Sequence, residues 1–349
     1  MLTDDFDFHL PEASIAQRPL PRGESRLLVL DAEGAARHRQ TRDLPALLRR
    51  GDLVVVNDTQ VIPARLFGRR RPGGGKIELL LAEKLGPRTW DSLVKPGRRA
   101  RPGTVVDLDD QLSAEVEAKG DDGRIRIRFS EEVEPHLERL GHVPLPPYIH
   151  RDDETTDRST YQTVYARHPG AIAAPTAGLH FTEAMLAELE ERGIGHARVT
   201  LHVGIGTFKP VTATLVHEHV MDAERWQVSD ETAEAIARHR HDGGRIVAVG
   251  TTVVRTLESA AQASRAADPD ASTVPAGEGR TELFITPGFR FRAVDALLTN
   301  FHLPRSTLLM LVSAFAGRER VLAGYREAVE EGYRFYSYGD AMLLERREP

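Results

Sequence analysis

An open α/β sheet interrupted by a small antiparallel β-barrel is predicted for this 349-residue chain from three features of its sequence. The run Leu53-Val54-Val55-Val56 is apolar throughout, as a strand covered on both faces must be, and helical and strand-like patterns alternate on either side of it. Between residues 62 and 147 that alternation gives way to short strands broken by Gly and Pro. After Pro144-Leu145-Pro146-Pro147, which reads as a return crossing, the alternation resumes. The expected division is discontinuous, with residues 1–61 and 148–349 forming the α/β domain and residues 62–147 the inserted barrel. At roughly 150 residues per domain the length suits two.

Each element has a local reason. Arg26–Leu30 is a short apolar strand, followed by a helix near Leu44–Arg50 and the buried run, which ends on Asn57-Asp58-Thr59. Polar side chains thus fall at the carboxyl end of that strand, where open α/β sheets place their ligands. The barrel strands are expected at Lys76–Leu81, Thr89–Lys95, Thr104–Leu108, Leu112–Ala118 and Arg124–Phe129. The last alternates Ile125, Ile127 and Phe129 with Arg124, Arg126 and Arg128, one face for a core and one basic. Further on, Thr182 caps a helix that Gly193 stops, and Ala197–Val203 is a strand. Ser229 caps a helix to about Arg240, and the strand Arg245–Val249 runs into Gly250-Thr251-Thr252 and another helix. Residues 266–279 form a polar linker, Leu283–Thr286 a strand, Ser306–Phe315 a helix, and Tyr325–Glu331 part of a helix stopped by Gly332.

Composition narrows the chemistry. The chain has no cysteine, which excludes disulfides, thiolate nucleophiles, Cys-ligated zinc and iron–sulfur clusters. The first residues, Met1-Leu2-Thr3-Asp4-Asp5-Phe6-Asp7, are acidic where a secretory signal is basic, and no apolar run approaches the ~18 residues that span a bilayer. A cytoplasmic protein without a membrane segment is expected, with a monomer as the working assumption. The net charge of −6 is uneven: residues 62–101 hold eleven basic and three acidic side chains, a net of +8, which leaves −14 for the remainder. A basic patch on an acidic body suggests a polyanion such as nucleic acid. Arginine outnumbers lysine 41 to 5, however, and a compositional bias with solvated basic turns explains the segment equally well.

Several short strings are able to carry chemistry. Gly250-Thr251-Thr252 offers backbone N–H groups and hydroxyls at a helix N-terminus, a place for a carboxylate, a phosphate or ribose oxygens. Arg255 and Glu258 project from one face of that helix, as an ion pair or toward a ligand. In Leu201-His202-Val203-Gly204-Ile205-Gly206-Thr207-Phe208-Lys209-Pro210 the two glycines let backbone approach a ligand, but the third glycine of a dinucleotide fingerprint is missing and Pro210 blocks the helix such a loop opens. His180 lies on the glycine-containing stretch Pro175–Phe181 just before a helix. His217, Glu218, His219 and Glu224 contain a His-x-His, yet their spacing fits no standard zinc signature.

Taken together, Val55–Arg65, Pro175–Phe181, His202–Pro210, Val249–Glu258, Thr299–Ser306 and Tyr338–Met342 resemble, in order and over essentially the whole chain, the S-adenosylmethionine:tRNA ribosyltransferase-isomerases of queuosine biosynthesis. The resemblance implies an α/β domain with an inserted β-barrel. It also implies S-adenosylmethionine as co-substrate, donating its ribosyl group to the aminomethyl group of 7-aminomethyl-7-deazaguanine at the wobble position of a tRNA. The products would be epoxyqueuosine-tRNA, adenine and methionine, with no prosthetic group and no metal.

That chemistry sets roles to be filled. A base removes a proton from the ribose carbon beside the sulfonium, adenine leaves, the acceptor amine attacks the sugar, and epoxide closure expels methionine. His180 and His202 are the candidates for proton transfer, with Asp58 a rival. Arg255 with Thr251 and Thr252 is expected to hold the methionine carboxylate. Gly204, Gly206, Thr207 and Glu258 join the substrate-binding set, and Asn57, Asn300 and His302 are expected to contact the base or ribose. Arg65, Arg70, Arg71, Arg98 and Arg99 are the expected tRNA contacts. One departure is Asp222, which stands where the family commonly has histidine, so no essential catalytic role is given to it. Two other functions compete: a metal-dependent hydrolase using His217, His219 and Glu224, and a non-catalytic RNA-binding protein built on the barrel.

Overall fold

The computed structural model describes residues 1–31, 35–120, 123–208, 211–267 and 274–346. Lys209, Pro210 and the stretch 268–273 of the expected linker lie outside them, as does the side chain of Thr207. In chain order the strands are β1 Arg26–Leu30, β2 Ala36–Gln40, β3 Leu53–Asn57, β4 Thr59–Val61, β5 Arg65–Arg71, β6 Lys76–Gly86, β7 Thr89–Lys95, β8 Val105–Asp107, β9 Ser113–Lys119, β10 Ile125–Phe129, β11 His168–Ala171, β12 Gly195–Leu201, β13 Glu224–Val228, β14 Ile246–Val249, β15 Gly277–Thr281, β16 Ala296–Asn300 and β17 Ala341–Glu345. The helices are α1 Leu44–Leu47, α2 Glu134–Leu140, α3 Asp157–Thr160, α4 Glu183–Glu191, α5 Asp230–His241, α6 Thr251–Ala267, α7 Thr307–Ala316 and α8 Arg318–Glu330.

The larger sheet runs β15-β13-β12-β3-β14-β16-β17-β1-β2. At its centre β12, β3, β14 and β16 are parallel, while β13 and β17 run against their neighbours β12 and β16 on either side. The apolar run in β3 behaves as its composition demands. Leu53 and Val55 enter a core shared with α5, α6, α7 and α8, and Val54 and Val56 enter a second core shared with α1 and α4. All four are essentially inaccessible, and each such side chain contributes about 1.5–3 kcal/mol by leaving water. Thr182 and Ser229 cap their helices as expected, accepting from the N–H of Met185 and Thr232.

Strands β10-β7-β6-β5-β8-β9 close into an antiparallel barrel. Its alternating last strand points Ile125, Ile127 and Phe129 into the barrel core. The arginines between them are held by carboxylates, Arg126 by Asp91 and Arg128 by Glu117, so that outer face is largely neutralised. Ile172 and Ile205, from loops of the larger sheet, enter the barrel core and plug one end. Ionic links join the bodies: Glu83 of β6 accepts from Arg225 of β13 at 2.9 Å and Arg280 of β15 at 2.7 Å, Arg124 lies 3.6 Å from Asp222, and Arg158 lies 2.5 Å from Glu138. The Arg280 hydrogen bond, with that of Arg225, holds the Glu83 carboxyl below the usual carboxylate range.

Some local expectations differ. The strand expected at Leu283–Thr286 is irregular, and the neighbouring strand is instead β15, which begins in the last residues of the segment taken for linker. Backbone pairing to β13 makes that strand, with Arg225 opposite Arg280 and Trp226 opposite Gly279, and a Cβ at Gly279 would lie 3.1 Å from the indole. The helix expected at Leu44–Arg50 stops at Leu47, because Leu48 turns extended and the Arg49 N–H is taken by Asp52.

Closure of the barrel leaves no room at Gly68, where an added Cβ would lie 2.6 Å from Val106 Cγ1 and 2.7 Å from the Asp107 carbonyl oxygen. Gly68→Ala is expected to destabilise the protein by about 1–3 kcal/mol through overpacking, read as a lower urea midpoint in equilibrium unfolding.

Candidate active site

The four parallel strands end at one edge, so their carboxyl-terminal loops converge. Asn57, the Leu201–His202 junction, Gly250 and Asn300 all lie at that edge, and a cavity of about 530 Å³ opens beside Gly250 and Asn300. Its wall includes Thr251 and Thr252 in the first turn of α6, Arg255, Asn300, His302 and the aromatic pair Tyr148 and Tyr336. Gly250 takes φ +90 to turn the chain from β14 into α6, which leaves the helix N-terminus facing this space. Arg305 and Tyr336, the two non-glycine residues with positive φ among the described residues, both line it. Backbone in that region is costly and gathers at functional sites.

Asn300 sends its amide N–H to the Tyr336 carbonyl at 3.0 Å while its own Oδ1 is buried without a partner. An unpaired buried acceptor lining a cavity suits a ligand N–H. His302 lines the same cavity, its Nε2 2.9 Å from the Thr299 hydroxyl, and burial pushes its pKa down to about 3. His180 is buried behind the wall formed by Thr176 and Ala177; burial lowers it to about 4, partly opposed by the nearby Asn300 side chain. It is not among the residues that border the cavity.

Several expected ligand contacts are instead committed to the fold. Asn57 is fully buried; it donates to the Leu201 carbonyl at 3.0 Å and accepts from the Leu201 N–H at 3.0 Å, completing the pairing of β3 with β12 where the strands end. It also reaches Thr252 Oγ1 and accepts from the Thr59 N–H. Asp58 is buried, accepts from the Thr200 hydroxyl at 2.7 Å and lies 3.6 Å from His168, bordering neither cavity described here. Glu258 accepts the N–H groups of Arg292 and Ala293, fixing that loop. Arg255 pairs with Glu224, not Glu258, and donates to the carbonyls of Leu283 and Thr281 at 3.1 and 3.3 Å. The strand β13, unforeseen in the sequence, is what puts Glu224 in its reach.

A second cavity, about 490 Å³, lies between the sheet edge and the barrel. It is lined by His202, Gly170, Gly204, Arg225, Arg280 and Trp90, and it shares Val203 and Glu224 with the first. The His202 ring is seated closely: a Cβ at Gly170 would lie 2.9 Å from its Nδ1 and Cε1, so only glycine permits the approach. Thr59 Oγ1 is 2.8 Å from Nδ1 and 3.5 Å from the His168 carbonyl. With the hydroxyl proton on that carbonyl, Nδ1 carries the ring proton and Nε2 keeps its lone pair. Burial, with nearby His168, lowers the His202 pKa, so the ring is neutral near pH 7. Gly204 gives its N–H to Glu224 Oε1 at 2.9 Å, whereas a Cβ at Gly206 would lie 2.9 Å from Asp222 Oδ2. Sequence reasoning missed Thr59, Gly170 and Glu224 in these parts, since nothing local signals a pairing across more than thirty residues.

The arginines of the barrel divide. Arg65 is engaged by Glu78 and the Leu145 carbonyl, and Arg71 by Asp107. Arg98 and Arg99 are exposed with no ion pair to a described residue, and Arg70 is half-buried. Among the described residues no group of three His, Asp or Glu side chains is placed to hold a metal. His219 packs edge-on against Phe284 and Glu224 is paired with Arg255, so the ligand set of the hydrolase alternative does not assemble. No described helix is long and apolar enough to cross a membrane.

The buried histidines set a pH dependence. The folded-state values of His180 and His302 lie below the ordinary 6.5, so the unfolded chain takes up their protons first. Their stabilising effect is complete above about pH 6.5 and is lost as pH falls toward 4 and 3. At pH 5 the two together should cost about 4 kcal/mol relative to pH 7, seen as a drop in the urea midpoint that His180→Gln roughly halves.

Residues 3–344 match the family model described as "Queuosine biosynthesis protein". A protein of Gloeobacter violaceus named S-adenosylmethionine:tRNA ribosyltransferase-isomerase is 56% identical over 98% of this chain and 96% of its own. A relative of that name from an Anaeromyxobacter species is 55% identical over 100% of both. The crystal structure of an S-adenosylmethionine tRNA ribosyltransferase from Thermotoga maritima is 40% identical, covers 97% of this chain and 99% of that one, and superposes with a TM-score of 0.54. With the match running through both the sheet and the barrel, the chain belongs to the queuosine biosynthesis protein family.

Proposed function

We propose that this protein transfers and isomerises the ribosyl moiety of S-adenosylmethionine onto the aminomethyl group of 7-aminomethyl-7-deazaguanine at the wobble position of a tRNA, releasing adenine and methionine. The observation that carries it is the pair of adjoining cavities, one at the carboxyl edge of the parallel strands and one against the barrel, meeting at Val203 and Glu224. A reaction between a small nucleoside and a nucleotide of a polymer needs two compartments with one common wall. The first cavity, within the usual size for small-molecule sites, takes S-adenosylmethionine. Its methionine carboxylate lies at the N-terminus of α6 with Thr251 and Thr252, and Asn300 Oδ1 accepts from an adenine N–H.

The second cavity takes the wobble nucleotide, flipped from its stack to expose the amine. His202 is the base for the acidic ribose C–H beside the sulfonium: neutral, held by Thr59 and lining the cavity that adjoins the donor site. Proton removal there precedes loss of adenine, attack by the acceptor nitrogen and closure of the epoxide with loss of methionine. His180 acts from behind the wall through Asn300 as a positioning residue. These steps call on no metal or redox group. Residues 62–147 are assigned as the tRNA-contacting unit, with Arg70, Arg98 and Arg99 on its surface, and the cytosol, where tRNA is modified, as its location.

Mixing the protein with S-adenosylmethionine and a tRNA bearing the aminomethyl base should release adenine and methionine in equal amounts, and the same tRNA with plain guanine should release neither. His202→Ala is expected to lower kcat about 10²- to 10⁴-fold with little change in Tm. Absence of both products from folded, tRNA-bound protein overturns the assignment in favour of RNA binding alone. Replacing Arg70, Arg71, Arg98 and Arg99 by alanine should flatten the salt dependence of tRNA affinity by about 0.9 in log–log slope for each arginine that meets a phosphate.

A further inference from the structure

We propose that Glu224 is the specificity-determining group for the acceptor, receiving its primary ammonium at the neck between the two cavities; this rests on the function proposed above. Among the described residues only Val203 and Glu224 border both spaces, and Glu224 is the charged one. The other charged side chains of the second cavity are engaged elsewhere: Glu83 between Arg225 and Arg280, Glu134 with Lys84, Glu138 with Arg158, and Asp222 near Arg124.

The carboxylate is prepared in one orientation. Oε1 accepts the Gly204 N–H at 2.9 Å and Oε2 is held by Arg255, itself fixed by the carbonyls of Leu283 and Thr281. A carboxylate offers about four lone-pair positions, so about two remain after these bonds. Arg255 already occupies one side, which leaves no free edge for a second guanidinium fork, whereas a single ammonium N–H needs one lone pair. The acceptor nitrogen must come within about 3–3.5 Å of the ribosyl carbon, which brings it across the shared wall. The amino-acid end of S-adenosylmethionine has no such requirement, and its carboxylate is assigned above to the N-terminus of α6 with Thr251 and Thr252. The carboxylate makes and breaks no bond to carbon; it selects the base that carries a cation, sets where its nitrogen stands and takes the proton that the ammonium loses before its nitrogen attacks as the free amine.

The test compares the affinity of tRNA carrying the aminomethyl base with that of the same tRNA carrying guanine, and measures S-adenosylmethionine affinity by calorimetry. Wild-type protein is expected to prefer the aminomethyl tRNA. Glu224→Gln should reduce that preference about 10- to 100-fold, the size of a charge-assisted hydrogen bond, and leave guanine-tRNA and S-adenosylmethionine affinities within about twofold. Acetylating the amine should cost wild-type affinity by a similar factor and cost the variant nothing. Glu224→Asp, which keeps the charge one methylene back, should lose less than Glu224→Gln, and it carries the same comparison if Glu224→Gln does not fold. Equal weakening of both tRNAs, or loss of S-adenosylmethionine affinity, overturns the assignment in favour of a purely structural ion pair or a contact to the donor. Failure of wild-type protein to release adenine would overturn the proposed function itself; adenine release with an unchanged preference in the variant would overturn Glu224 alone.

Discussion

The hydrogen bonds of one buried side chain, Asn57, hold together the edge on which the site is built. At the end of β3 the amide group supplies the donor and acceptor that another residue of strand would have offered to Leu201, and it reaches Thr252 at the start of α6 besides. A polar group buried without partners would cost about 1–3 kcal/mol, so its complete pairing is a condition of its presence there. From this fixed point the chain departs in several directions at once: β4 toward the barrel, the His202 loop toward the second cavity and α6 toward the first. Thr59, two residues on, carries the effect to the His202 ring.

The neck between the cavities is an electrostatic counterpart to that staple. Glu224 and Arg255 are both buried, and removing either partner would strand the other's charge, a loss of about 3–5 kcal/mol. Such a pair is weak evidence of net stabilisation, since an apolar pair of the same volume often does as well. Its location gives it another use, a fixed negative charge where two compartments meet. The neutral histidines nearby suit the same logic. Burial keeps His202 and His302 unprotonated, so the site presents lone pairs and one carboxylate to a sulfonium donor and an ammonium acceptor.

Much of the fold was legible in the sequence. Alternation in Arg124–Phe129, the continuous run in β3, and the caps Thr182 and Ser229 are local signals, and each element formed where its signal lay. Elements without such a signal were invisible. β5 reads as an arginine-rich turn because its outer face is polar and its inner face includes Gly68, yet it closes the barrel. β16 and β17 are five-residue apolar stretches that periodicity cannot separate from buried helix. In the site, the loops were found, but several polar residues within them are engaged by the fold. Asn57, Asp58, Arg255 and Glu258 looked like ligand contacts because they are polar residues at strand ends and helix starts, and the structure engages them with other residues: Asn57 with Leu201, Thr59 and Thr252, Asp58 with Thr200, Arg255 with Glu224, and Glu258 with the N–H groups of Arg292 and Ala293.

The sequence by itself determined the α/β frame, the inserted barrel, the glycine and threonine turn at the head of α6 and the family to which the chain belongs, because these depend on periodicity, turn chemistry and strings of adjacent residues. The tertiary structure alone decided which polar groups remain free. Glu224 meets Arg255, Gly170 makes room for His202, and Glu83 joins barrel to sheet through pairings far apart in the chain. Whether a buried carboxylate or imidazole is a ligand group or a structural one is set by how many of its lone pairs and protons are already taken, and that number exists only once distant strands have come together.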